Sequence, residues 1–211
     1  MPQRIVYLYV LDTLADWEPG YVTAELNSGR FFQKGAPPLA VKTFALSREP
    51  VTTMGGLRIV PDLTVQEVDV RDAALLILPG GETWLEPLHA PALTKAREFL
   101  AKGVPVAAIC GATMALAQAG LLDDRPHTSN DLGFLKQMCP AYKGEGLYQA
   151  LPAVTGGDLI TASGTAPLEF ARLILQRLGV FSEKTLEAWY KLHTLKEPQY
   201  FFQLMQSVAP E

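Results

Sequence analysis

The stretch VPVAAICGATMALAQAG, Val104 to Gly120, sets a lone Cys110 between a short apolar run and a helix-like segment. A side chain at such a strand-to-helix turn is projected outward on a tight backbone, in the manner of a nucleophile elbow. Gly111 suits the turn, which leaves little room beside the projected residue. The helix start supplies a positive dipole end and free N–H groups, which favour thiolate over thiol. The N–H groups of Gly111 and Ala112 could also stabilise an oxyanion. Gly80 and Gly81, in LLILPGG, are placed to add two more. The alternative is a buried cysteine acting as a small hydrophobe, the common role of a free thiol.

These residues need a frame to position them. IVYLYVL, AALLILPGG and VPVAAIC are continuous apolar runs, as strands buried on both faces should be. LAVKTFALS reads as a further strand. Segments around Gly55–Gly56 and around Gly156–Gly157–Asp158 read as hairpins. Helical patterns fall over 17–28, 90–103, 111–120 and 166–179, and the tail from Ser182 is helical in character. The section 121–148 is polar and irregular, with one short helix near DLGFLKQM, and Cys139 falls in a loop beside Pro140. Strands alternating with helices predict a mainly parallel sheet with helices on both faces. Ligands then bind beyond the carboxyl ends of the strands, where Cys110 and the Pro-Gly-Gly segment both lie.

The chain has 211 residues, is 48% hydrophobic and 19% charged, and carries a net charge of -4. That predicts one domain over 1–211, with 181–211 as a C-terminal helical extension. Basic residues are scattered singly, so neither nucleic acid nor an anionic membrane is expected as a partner. Two cysteines make no disulfide framework, and free thiols predict a cytoplasmic protein. Three histidines and two cysteines lie too far apart for zinc spacing, and no Gly-Lys-Ser/Thr loop is present, so neither metal nor cofactor is expected.

Taken in order, LLILPGG, VAAICGATMALAQAGLL and LITASGTAPLEFARLILQRLG resemble the DJ-1/PfpI superfamily, part of the class I glutamine amidotransferase-like group. The resemblance runs from the first strand to about Gly179. It implies a three-layer α/β/α, flavodoxin-like sandwich, frequent homodimerisation, and an elbow cysteine beside a protonated glutamate following strand one. Glu18, in ADWEPG, matches that glutamate. Its other reading is a first-turn carboxylate complementing a helix dipole. Asp16 is the fallback, though it reads better as an N-cap.

The family pattern then breaks. Many members carry a histidine after the elbow helix, where Asn130 stands here, in RPHTSND. His127 lies three residues earlier and is the candidate general base, while Asn130 would only orient the sulfur. Asp131 and Glu86 are candidates for a third partner, and His89 and His193 read as surface residues. Trp84 either lines a pocket near Gly81 or packs in the core. A dedicated glutaminase does not fit, because His193 and Glu197 are four apart rather than two. The expected function is a thiol-dependent hydrolase of small amide, peptide or glyoxal-adduct substrates. The alternatives are a stress protein that senses oxidation at Cys110 without turnover, and a non-catalytic small-metabolite-binding dimer.

Overall fold

The computed structural model describes residues 3–208. In chain order the elements are β1 (Arg4–Tyr9), α1 (Trp17–Ser28), β2 (Leu39–Ala45), β3 (Val51–Thr52), β4 (Arg58–Ile59), β5 (Leu63–Thr64), β6 (Ala73–Leu78), α2 (Ala90–Ala101) and β7 (Val106–Ile109). Then come α3 (Gly111–Gln118), α4 (Leu132–Met138), β8 (Ala153–Gly156), β9 (Leu159–Ala162), α5 (Pro167–Leu178), α6 (Glu183–Leu195) and α7 (Pro198–Ser207).

Seven strands form one sheet in the order β5-β2-β1-β6-β7-β9-β8, and β3 pairs with β4 apart from it. Every neighbouring pair in the large sheet is parallel except β8–β9. Residues of β6, β7 and β9 are buried throughout, which is why these strands read as unbroken apolar runs. From β1 the chain crosses to β2 on one side, then returns to β6 on the other. Right-handed crossovers in opposite directions place α1 and α2 on opposite faces. Helix α5 packs on α1 and on strands β7, β8 and β9, and its residues Phe170, Ala171, Ile174 and Leu175 are buried. Each of its larger side chains contributes about 2 kcal/mol on burial.

The hairpin expected around Gly55–Gly56 is β3–β4, and that around Gly156–Asp158 is β8–β9. Strand β1 stops at Tyr9 rather than Leu11, because Val10 and Leu11 lead into a turn in which Thr13 takes φ 65°. The helical tail is two helices, parted at Lys196, φ 59°, with Pro198 opening the second. Trp189 of α6 is buried, and its Nε1 donates to Glu25 Oε1 of α1 at 3.0 Å. The Arg30 guanidinium holds the same carboxylate, with Nε at 2.9 Å from Oε2. The tail is thereby docked on the α1 side of the sheet. Among the described residues, no helix is long and apolar enough to cross a membrane.

Candidate active site

Strand β7 ends at Ile109, and Cys110 follows with φ 58° and ψ −122°. A non-glycine residue held there costs on the order of 1–3 kcal/mol and persists only where neighbours enforce it. They do so at both ends of the residue. Cys110 N donates to Ala162 O at 3.0 Å, and Cys110 O accepts from Thr113 N at 3.0 Å and from Thr113 Oγ1 at 2.6 Å. The Thr113 hydroxyl is itself 2.7 Å from Ser129 Oγ. Gly111 must be glycine, since a Cβ there would lie 2.6 Å from Gly81 O.

Glu18 sits in the first turn of α1 and is fully buried. The loop after β6 reaches it: Gly80 N donates to Glu18 Oε2 at 2.5 Å. Among the described residues no N–H or O–H donates to Oε1, which is buried beside the Cys110 thiol. Gly80 and Gly164 close the site from either side. A Cβ at Gly164 would come within 2.8 Å of Cys110 Sγ and 3.0 Å of Glu18 Oε1. Burial raises the Glu18 carboxyl to about 7, against the opposing pull of the Gly80 N–H and the Cys110 thiol. Burial also pushes the Cys110 thiol up, and the Glu18 charge adds to that. The Asn130 amide and the Gly111 N–H pull it down, and the net direction is upward. This corrects the expectation that the helix start would leave the thiol unusually acidic. The dipole acts there, but desolvation and the adjoining carboxylate outweigh it.

Asn130 Nδ2 donates to Cys110 Sγ at 3.3 Å, while its Oδ1 accepts from Gly164 N at 2.8 Å. The amide therefore spans sulfur and loop. The sulfur opens into a cleft of about 610 Å³ lined by Trp17, Asn130, Ser163, Thr165 and Pro167. Trp17 Nε1 donates to Gly164 O at 3.0 Å, so the indole is fixed as one wall.

The DJ-1/PfpI family model matches residues 4–177. The chain belongs to the DJ-1/PfpI family. It is 50% identical over 208 residues to a Bacillus subtilis protein named "Uncharacterized protease YoaZ", covering 99% of each chain. It is similar to a solved thiJ/pfpI family protein from Bacillus anthracis, with 51% identity and a TM-score of 0.95 over 99% of this chain and 98% of that one. A DJ-1 superfamily protein from Agrobacterium tumefaciens is 33% identical, with a TM-score of 0.80 over 92% and 98%.

In this DJ-1/PfpI chain several candidate residues lie elsewhere. His127 is buried, with Nδ1 2.8 Å from Arg125 O and Nε2 2.6 Å from Tyr142 Oη. Both ring nitrogens are engaged away from the sulfur, so His127 is a packing residue of the 121–148 segment and not the base. Asp131 caps α4, accepting from Phe134 N at 2.7 Å. Glu86 is exposed by the hollow between α2 and α3. Neither completes a triad with Cys110. Asp16 occupies the position before α1, but its carboxylate accepts from Thr53 Oγ1 at 2.5 Å and Gly55 N at 2.6 Å. It ties the β3–β4 hairpin to the site instead of capping the helix. The Gly80 N–H is spent on Glu18 and is not free for an oxyanion. Gly81 and Ala112 have N–H groups with no acceptor among the described residues. His89 is buried, not at the surface, 2.9 Å from both Tyr9 Oη and Thr83 Oγ1. His193 is half-buried and hydrogen-bonds Trp189 O. Trp84 is core: its Nε1 donates to Pro79 O at 2.7 Å, and its ring backs Gly111. Among the described residues no group of three or more potential ligands could hold a metal ion.

Thr113 and Trp17 belong to the site and escaped the sequence reading. The signals were local: Thr113 stands three residues after Cys110, and Trp17 immediately before Glu18.

Proposed function

We propose that this chain is a thiol-dependent hydrolase of small amide, peptide or glyoxal-adduct substrates. Cys110 is the nucleophile and Glu18 the proton carrier. One observation carries the reading: a cysteine held in a strained turn opens to a cleft, with a buried, half-partnered carboxyl behind its sulfur. The printed name of the Bacillus subtilis relative, a protease, fits it.

No histidine serves the sulfur, so Glu18 takes that part. With an amide or peptide substrate, its carboxylate accepts the thiol proton as Sγ bonds to the substrate carbonyl carbon. The unengaged N–H groups of Ala112 and Gly81 are the donors proposed for the charge that develops on the carbonyl oxygen. Collapse breaks the bond to the leaving group, which departs with the proton held by Glu18. Water then attacks the thioester, gives one proton to Glu18, and returns the thiol and the acid. A carboxyl near 7 suits a group that must both accept and donate at neutral pH. A homodimer, free of cofactor and acting in the cytoplasm, is part of the proposal.

Turnover of acetylated amino-acid p-nitroanilides and of a methylglyoxal–lysine adduct should disappear in Cys110→Ser, with the fold intact by circular dichroism. Undiminished turnover would overturn the hydrolase. A second reading is favoured by the orphan Oε1: two equivalents of peroxide convert the thiolate to sulfinate and two waters, and a protonated Glu18 donates to a sulfinate oxygen. In that case mass spectrometry finds two added oxygens on Cys110 and no substrate is turned over. A metabolite-binding dimer would be indifferent to Cys110→Ser.

A further inference from the structure

Trp17 is the first residue of α1 and Pro167 the first of α5, and these two helices pack on one another. Both residues are walls of the Cys110 cleft. The Trp17 side chain is 51% exposed although its one polar atom is already spent, since Nε1 donates to Gly164 O. That bond ties the indole to the loop whose backbone crowds Cys110 Sγ and Glu18 Oε1. What solvent meets at Trp17 is therefore chiefly ring carbon, on the order of 100 Å² of it.

Other exposed rings are placed differently. Tyr21, one turn along α1, packs edge-on against Trp189 and His193 of α6, with ring centres 6.2 and 5.2 Å away. Phe201 and Phe202 of α7 pack on each other, and neither lines the cleft. Among the described residues Trp17 is the one aromatic side chain in the lining around the sulfur. The rest of that lining is uncharged: the Pro167 ring, the Ser163 and Thr165 hydroxyls, and the Asn130 amide. The two hydroxyls lie 3.1 Å apart and can satisfy each other, and the amide is held at both ends by Cys110 Sγ and Gly164 N. No charged group stands there to recognise an ionic substrate, whereas flat carbon surface does. A wall already fixed in place loses little freedom when a ligand covers it. Covering half of the open indole with apolar surface favours binding by roughly tenfold.

We infer that Trp17 is a specificity-determining residue, and that it selects substrates carrying a neutral aromatic ring on a short linker from the carbonyl that meets Cys110. The inference rests on the proposed hydrolase for its use, but the selection itself is read without turnover. Three neutral reagents, N-benzyl, N-cyclohexylmethyl and N-methyl chloroacetamide, each alkylate Cys110: Sγ bonds to the chlorinated carbon, chloride leaves, and the thiol proton passes to buffer. Peptide mapping assigns the second-order rates to Cys110, and each is divided by the rate with glutathione. Ratios taken within one protein cancel any change in the thiol itself. The benzyl reagent should outpace the methyl one by about tenfold. It should outpace the equally bulky but non-planar cyclohexylmethyl one by about threefold. Trp17→Ala should bring both ratios close to one, while Trp17→Phe, which keeps a ring, should retain most of each. Phe202→Ala, which removes an exposed ring of α7, should keep the wild-type ratios. Wild-type ratios near one, ratios that survive in Trp17→Ala, or ratios as low in Trp17→Phe as in Trp17→Ala overturn the inference. If the ring preference stands while no p-nitroanilide is hydrolysed in a Cys110-dependent way, the hydrolase reading falls and aromatic selection survives. If hydrolysis depends on Cys110 while the ratios stay near one, the selection falls and the hydrolase stands.

Discussion

The chain has two thiols, and their surroundings differ in one respect that matters. Cys139 closes α4, is 1% exposed, and donates from Sγ to Met114 O at 3.2 Å. Cys110 is half-buried, sits in a strained turn and meets a carboxyl, an amide and a cleft. Desolvation pushes both thiols up from their ordinary value. A helix start near one and a helix end near the other therefore do not separate them. What separates them is a proton acceptor: Glu18 stands against Cys110, whereas Cys139 has only a backbone carbonyl. The proposed reactivity of the elbow is therefore assigned to the Cys110–Glu18 pair, with the dipole as a minor contributor.

The contrast can be broken most sharply by alkylation. Iodoacetamide should modify Cys110 on the order of a thousandfold faster than Cys139, since Cys139 must wait for local opening costing several kcal/mol. Peptide mapping at short times measures this, and comparable labelling would erase the distinction. Next in size is Glu18→Gln. The folded protein keeps the Glu18 proton up to about 7, whereas an unfolded carboxyl releases it near 4.5. The native state thus binds more protons across that interval, and unfolding free energy falls as pH rises through it. The fall amounts to about 3 kcal/mol, and Glu18→Gln should abolish it. Urea titrations at pH 5, 6 and 7.5 test the sign, and parallel slopes in both proteins would refute the coupling. Smallest is Thr113→Val, which removes the hydroxyl bonded to Cys110 O. It should lower kcat/KM by roughly tenfold with KM little changed, and Thr113→Ser should restore most of it.

Strands β1, β6 and β7 were legible because burial on both faces leaves no polar residue to interrupt them. The elbow followed from the same fact, since a buried strand that runs into a helix through Cys-Gly admits few geometries. Glu18 was legible only through its spacing after β1 and the family likeness. His127 was misread because its place depends on Tyr142 and Tyr148, whose rings pack on it from 15 and 21 residues downstream. No local pattern in a polar segment encodes that contact. His89 failed likewise: PLHAP reads as exposed, yet the imidazole completes a chain from Tyr9 to Thr83. Asp16 carried the type of an N-cap, but a hairpin 37 to 39 residues away competes for its oxygens.

The margins of the sheet have a bearing on how copies of this chain can meet. One margin is β5, two residues long, and the other is β8, four residues preceded by Pro152. Stubs this short offer hardly any unpaired amide ladder to a visiting strand. Strand addition at these edges, and with it fibrous growth, is disfavoured as long as the native state persists.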